Sequence, residues 1–131
     1  MSSKKVLLFV CVENANRSQM AEAFARIHGG EHLEPYSAGS KPSGVVNPRA
    51  IEFMAEKGYD LSKHDSKTLE SFNGKPVEVA VTMGCGDACP LVVANRREEW
   101  QIPDPKHLPA DEFRQIRDLI ESKVKDLLKS L

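Results

Sequence analysis

Cys11, Arg17 and Ser18 stand in the stretch CVENANRS, directly after the apolar run VLLFV and directly before QMAEAF. A cysteine thiolate is a nucleophile, and a guanidinium can hold two oxygens of an anion in one planar fork. Five residues separate Cys11 from Arg17, enough for a loop between a strand end and a helix start to curl around a small anion. The backbone of Val12, Glu13, Asn14, Ala15, Asn16, Arg17 and Ser18 would then turn its N–H groups toward that anion, beside the positive end of the helix. The same donors favour a thiolate beneath the anion, and the Ser18 hydroxyl can add one more hydrogen bond. A cysteine whose pKa falls from ~8.5 to ~6 goes from a few per cent to about 90% thiolate at pH 7, for ~3.4 kcal/mol of differential stabilisation. Cys-x5-Arg-Ser therefore reads as an oxyanion cradle with a nucleophile at its base.

Such a cradle needs a strand ending at Cys11 and a helix starting near Ser18. After Lys4 and Lys5 the run to Cys11 is apolar and reads as a strand buried on both faces. Residues 18–28 carry Met20, Phe24 and Ile27 on one helical face, closed by Gly29-Gly30. Residues 33–37 form a weaker strand, and 41–44 a loop. Asn47-Pro48 opens a helix with an N-cap and Pro at its first position, Ile51, Met54 and Ala55 facing inward and Gly58 closing it. Residues 66–72 read as a short helix, 76–83 as a strand, 84–90 as a loop and 100–102 as a short strand before Pro103-Asp104-Pro105. From Ala110, the positions Phe113, Ile116, Ile120, Val124, Leu127 and Leu131 repeat near 3.6, a long terminal helix. Trp100 is expected as a core anchor, 96–99 as a solvated face, and His28, His64 and His107 on the surface. Alternating strands and helices predict an α/β fold with a parallel sheet. Ligands bind beyond the carboxyl ends of such strands, so Cys11 and the 84–90 loop can share one site.

Composition narrows the class. With 131 residues, one domain spanning 1–131 is expected. A net charge of −1 gives no reason to expect nucleic acid or an anionic membrane as partner. The five-residue apolar run near the start is too short for a signal peptide or a span, so a cytoplasmic protein is expected; a monomer is the expected state. Three cysteines are too few for a disulfide framework. Cys85-x3-Cys89 supplies too few ligands for zinc, and no metal is expected.

The stretches CVENANRSQMAEAFA, YSAG, NPRAIEFMAEKGYDLS, VTMGCGDACP and IPDP, in this order, resemble the arsenate reductases built on the low-molecular-weight protein tyrosine phosphatase fold. The resemblance implies a three-layer sandwich around a four-stranded parallel sheet, with Cys11 attacking the oxyanion and Arg17 binding it. It implies that Asn14 holds the strained loop and that Asp104 is the general acid; Pro-Asp-Pro is also good turn chemistry. Many members have glycine in place of Glu13 and cysteine in place of Asn16, and the Glu13 carboxylate is expected to point to solvent. Phosphate on sulfur can only be hydrolysed, whereas arsenic(V) on sulfur can be reduced if a second thiol attacks that sulfur. The resemblance assigns Cys85 to that attack and Cys89 to the next, with thioredoxin as reductant and no bound cofactor. Phosphate and sulfate would be weak mimics of arsenate. Some thioredoxin-linked members hold a potassium ion; three of its ligand positions match Asn14, Glu22 and Ser37, but the fourth falls on Lys67, which cannot ligate a cation.

Besides a non-catalytic anion-binding or redox-sensing module, which would bind without turnover, two alternatives stay open. One is a tyrosine phosphatase, although the 41–47 segment has no aromatic residue and Lys106 stands where such phosphatases commonly have tyrosine. The other is a reductase that draws on glutathione or mycothiol.

Overall fold

The computed structural model describes residues 5–39, 41–66, 68, 76–83 and 93–131. The apolar run becomes β1, Lys5–Cys11, in which Leu7 to Val10 have no solvent exposure. β1 lies between β2, Leu33–Gly39, and β3, Pro76–Thr82; β4, Val93–Glu99, pairs with β3. All pairings are parallel and the order is β2-β1-β3-β4, the four-stranded parallel sheet of an α/β fold. A strand with parallel neighbours on both sides is buried on both faces, which is why β1 runs apolar without alternating.

Among the described residues three helices accompany the sheet: α1, Arg17–Gly29; α2, Pro48–Ala55; and α3, Ala110–Lys129. Short 3₁₀ turns occupy Gly30–His32 and Leu61–Lys63. Leu7, Phe9 and Cys11 share one core cluster with Met20 and Phe24 of α1, Phe53 and Met54 of α2, and Phe113, Ile120 and Val124 of α3. Leu8, Val10, Ala38 and Ala80 form a second cluster. Each such fully buried Leu or Phe is worth about 1.5–3 kcal/mol, so β1 gives the loop after Cys11 a rigid base.

α2 starts as its sequence dictates, with Asn47 Oδ1 accepting from the Arg49 N–H at 2.9 Å and Pro48 at the first position. Gly58 beyond it has φ of 78°, a left-handed conformation that glycine adopts without steric cost. Trp100 is buried, with its ring centroid 6.0 Å from that of Phe9.

Several expectations need correction. The fourth strand is Val93–Glu99, not 100–102. It is an edge strand whose NRREE segment carries no apolar alternation, and the Trp100 N–H adds one further bond to Thr82 O at 2.9 Å. The inward residues of α2 are Ala50, Phe53 and Met54, while Ala55 is exposed. In α1, Ser18 through Ala25 are all buried because Ala21, Ala23 and Ala25 let the helix lie close to its neighbours. Ile27, two residues further on, is 41% exposed. Ser66 is not helical and Thr68 forms a parallel bridge to Gly39, so no helix starts at 66; the rest of that segment lies outside the described residues. His64 is not a surface histidine: its side chain is only 7% exposed.

Candidate active site

The chain leaves β1 at Cys11 and turns through residues 12–16 into α1. What shapes this turn is the pairing of its carbonyls. Val12 O accepts from the Lys41 N–H (2.8 Å), Glu13 O from the Ser43 N–H (3.0 Å) and Ala15 O from the Asn47 N–H (3.1 Å). Ser66 Oγ also donates to Glu13 O, at 3.1 Å. Asn14 O accepts from Gln19 Nε2 at 3.0 Å, and Asn16 O from the Met20 N–H at 2.9 Å. In a trans peptide the N–H points opposite to the C=O. Carbonyls drawn outward therefore turn the N–H groups of the following residues toward the inside of the loop, a geometry with the shape and polarity that suit a small anion.

Asn14 has φ of 51°, a left-handed conformation that asparagine tolerates better than most residues. Gly39 permits the loop's close approach to β2. A Cβ there would stand 2.6 Å from Val12 O and 3.0 Å from Asn14 N.

Cys11, Glu13, Ala15, Asn16, Arg17 and Asp104 line one pocket at the carboxyl ends of the strands. Cys11 is buried, and its Sγ lies 2.9 Å from Ser18 Oγ. Asn14 Nδ2 donates to the same Ser18 oxygen at 2.8 Å. Asn16 is buried, and its Oδ1 has no hydrogen-bond partner among the described residues. It is an acceptor that a hydrogen on a bound ligand would satisfy.

The wall opposite the loop is the turn after Trp100. Arg17 Nη1 donates to Ile102 O at 2.9 Å, which ties the start of α1 to this turn. Arg49 of α2 grips the same segment, donating to Lys106 O (3.1 Å) and Leu108 O (2.6 Å). Its guanidinium carbon lies 5.0 Å from the centre of the Phe113 ring. Asp104 Oδ1 accepts from the Lys106 N–H at 3.0 Å, so Asp104 makes the turn and also lines the pocket.

Glu13 does not simply point to solvent. It lines the pocket, and its carboxylate meets Lys106 Nζ at 3.2 Å. Behind the loop, Glu22 is buried with Ser37 Oγ donating at 2.6 Å and Arg26 Nε at 3.0 Å. The carboxylate matched to a cation position thus already has cationic and hydroxyl partners in this chain. Lys67, Cys85 and Cys89 lie outside the described residues. Gln19, Glu22, His64, Lys106 and Arg49 all contribute to the site's shape and had no local spacing to announce them.

A parallel sheet with a Cys-x5-Arg turn at the end of its inner strand defines a class. The chain belongs to the low molecular weight phosphotyrosine protein phosphatase family, whose pattern it matches over residues 6–131. It is similar to arsenate reductase 2 of Staphylococcus saprophyticus, 40% identical over 126 residues, covering 93% of this chain and 95% of that protein. It superposes on a solved arsenate reductase in the phosphate-binding state with a TM-score of 0.88 and 36% identity, covering 96% of this chain and 98% of that one. A thioredoxin-dependent arsenate reductase of Corynebacterium glutamicum matches with a TM-score of 0.82 and 31% identity, over 98% of this chain and 62% of that one. Among the described residues no helix is long and apolar enough to cross a membrane.

Proposed function

We propose that this chain is a single-domain, cytoplasmic arsenate reductase that acts as a monomer and takes its electrons from thioredoxin. The observation that carries the reading is the pocket itself. A buried cysteine hydrogen-bonded to a hydroxyl, an arginine and a carboxylate surround a concavity of backbone donors, with no aromatic side chain among the described residues that line it. That suits a small inorganic tetrahedral anion better than an aryl phosphate.

In this mechanism the Cys11 thiolate attacks arsenic(V), and one oxygen departs with a proton from Asp104. Arg17 and the N–H groups of residues 12–18 hold the remaining oxygens as charge shifts onto them. Cys85 then attacks Cys11 Sγ. A Cys11–Cys85 disulfide forms, the electron pair of the sulfur–arsenic bond leaves with arsenic, and arsenite is released. Cys89 attacks Cys85 Sγ and returns Cys11 to the thiolate, and thioredoxin reduces the Cys85–Cys89 disulfide by the same exchange chemistry. The order of the chain supports this. Met83 N–H donates to Val10 O at 2.7 Å, so β3 ends beside the strand that carries Cys11, and Cys85 follows Met83 by two residues.

The test is reduction of arsenate with thioredoxin, thioredoxin reductase and NADPH. Cys11→Ser abolishes it. Cys85→Ser abolishes it while sparing slow hydrolysis of a phosphate ester, and Cys89→Ser allows one turnover and then stalls. Full activity of Cys11→Ser sinks the reading. Normal turnover of Cys89→Ser with glutathione or mycothiol, each with its glutaredoxin, moves the donor to that thiol.

A further inference from the structure

Asn16 stands at the N-cap of α1, where an asparagine side chain ordinarily accepts from a backbone N–H of the first turn. Asn47 does this at the start of α2, its Oδ1 accepting from the Arg49 N–H at 2.9 Å. Asn16 makes no such bond. The residue is only 4% exposed, and its Oδ1 has no hydrogen-bond partner among the described residues. A buried amide oxygen without a partner lowers the stability of the free protein.

The same residue lines the pocket with Cys11, Ala15 and Arg17. Two carboxylates line it as well, and both have partners. Glu13 meets Lys106 Nζ at 3.2 Å, and Asp104 Oδ1 accepts from the Lys106 N–H at 3.0 Å. The inward N–H groups of the loop and the Arg17 guanidinium are donors, and an amide oxygen can only accept. Set among such donors, the Asn16 oxygen suits an anion that brings a hydrogen of its own.

Tetrahedral oxyanions differ in this respect. Near neutral pH, arsenate and phosphate keep at least one hydroxyl. Sulfate keeps none, and the dianion of a phosphate monoester has lost its last acidic hydrogen. With either of these, an oxygen of the anion would face the Asn16 oxygen with no hydrogen between them, and the buried acceptor would stay unpaired.

We propose that the Asn16 side chain determines specificity: its Oδ1 accepts from the hydroxyl of a hydrogen-bearing oxyanion, and so favours arsenate and phosphate over sulfate and over phosphate monoesters. This rests on the reading of the pocket as an arsenate site and deepens it, because arsenate and the ester substrate of a phosphatase differ at this hydrogen.

The test is the binding of inorganic phosphate and of sulfate, measured by titration calorimetry in mildly alkaline buffer. There both are tetrahedral dianions, and phosphate alone carries a hydrogen. A change in the charge on Cys11 would act on both and leave the ratio of their affinities in place. Asn16→Ala and Asn16→Leu lower the phosphate-to-sulfate ratio by about tenfold or more, the range that one buried acceptor commands. Phosphate binding weakens, while sulfate binding holds or tightens. Without anion, Asn16→Leu keeps or raises the melting temperature, because the oxygen it removes was unpaired.

A ratio within about twofold of the unmodified protein in both variants overturns the proposal. That result follows if the amide presents its nitrogen, which donates to either anion, or if Asn16 only shapes the loop. Failure of both variants to fold also overturns it, since an unpaired oxygen holds nothing in place. Binding of both anions with an unmoved ratio removes the role of Asn16 alone. An unmodified protein that binds neither anion removes the arsenate-site reading, and the proposal with it.

Discussion

Lys106 Nζ stands 3.2 and 3.3 Å from the two carboxylate oxygens of Glu13, joining the turn after Asp104 to the loop after Cys11. Both side chains are partly exposed, at 44% and 36%. The pair therefore adds little to stability, because water and salt screen it. Its effect falls on the pocket that Glu13 lines, where an uncompensated carboxylate would oppose an incoming anion.

Lys106→Ala leaves Glu13 unpaired at the mouth of that pocket. Binding of phosphate, measured by titration calorimetry, weakens about two- to fivefold at low salt, the range a partly exposed ion pair commands. The loss shrinks as ionic strength rises. Adding Glu13→Gly restores binding. Equal affinities for the unmodified protein and Lys106→Ala at low salt would remove Lys106 from any part in binding.

Gly39→Ala places a methyl group 2.6 Å from Val12 O, an atom already committed to Lys41. The loop must shift, at about 1–3 kcal/mol, the usual cost of overpacking. Phosphate binding and the melting temperature fall together. An unchanged affinity would show that the loop tolerates displacement from β2.

Asp104→Asn keeps the side chain's turn-forming oxygen for the Lys106 N–H and removes the proton donor. The chemical step, followed in a single turnover, slows by about 10²–10⁴. Binding of phosphate or sulfate holds or improves, because a negative charge has left the pocket wall. An unslowed single turnover would leave Asp104 as a turn residue only.

Glu56 joins α2 to α3 through hydrogen bonds from Arg114 and Arg117, which hold its pKa at about 2 against an ordinary 4.5. A depressed carboxyl stabilises the fold above its ordinary value and loses that contribution as pH falls toward the depressed one. Urea midpoints of the unmodified protein and Glu56→Gln thus differ by a constant amount above about pH 5 and converge as pH drops from about 4.5 to about 2. A gap that stays constant down to pH 2 would mean that the carboxylate charge does not matter.

Legibility in the sequence followed the range of the interaction. β1, the start of α1 and the Asn47-Pro48 cap depend on residues within a few positions, and each was readable from local pattern. β4 was not, because an edge strand with the sequence NRREE has no buried face to impose alternation. The pairing of Glu13 with Lys106 spans 93 positions, and that of Gln19 with His64 spans 45. No spacing rule reaches that far. His64 looked like a surface residue because nothing beside it in the chain says that Gln19 and Glu22 will surround it.

The outward carbonyls of the loop have a consequence for synthesis. Their partners on Lys41, Ser43, Asn47 and Ser66 are all made later than the loop itself. A nascent chain that ends before Lys41 already carries Cys11 and Arg17 in order, yet it lacks the donors that pull Val12, Glu13 and Ala15 into shape. On the proposed reading, oxyanion affinity is thus acquired when the segment from Lys41 to Ser66 closes over the loop, not when the motif leaves the ribosome. Phosphate in the medium would bind the finished chain and not the growing one, and so by mass action favour completion.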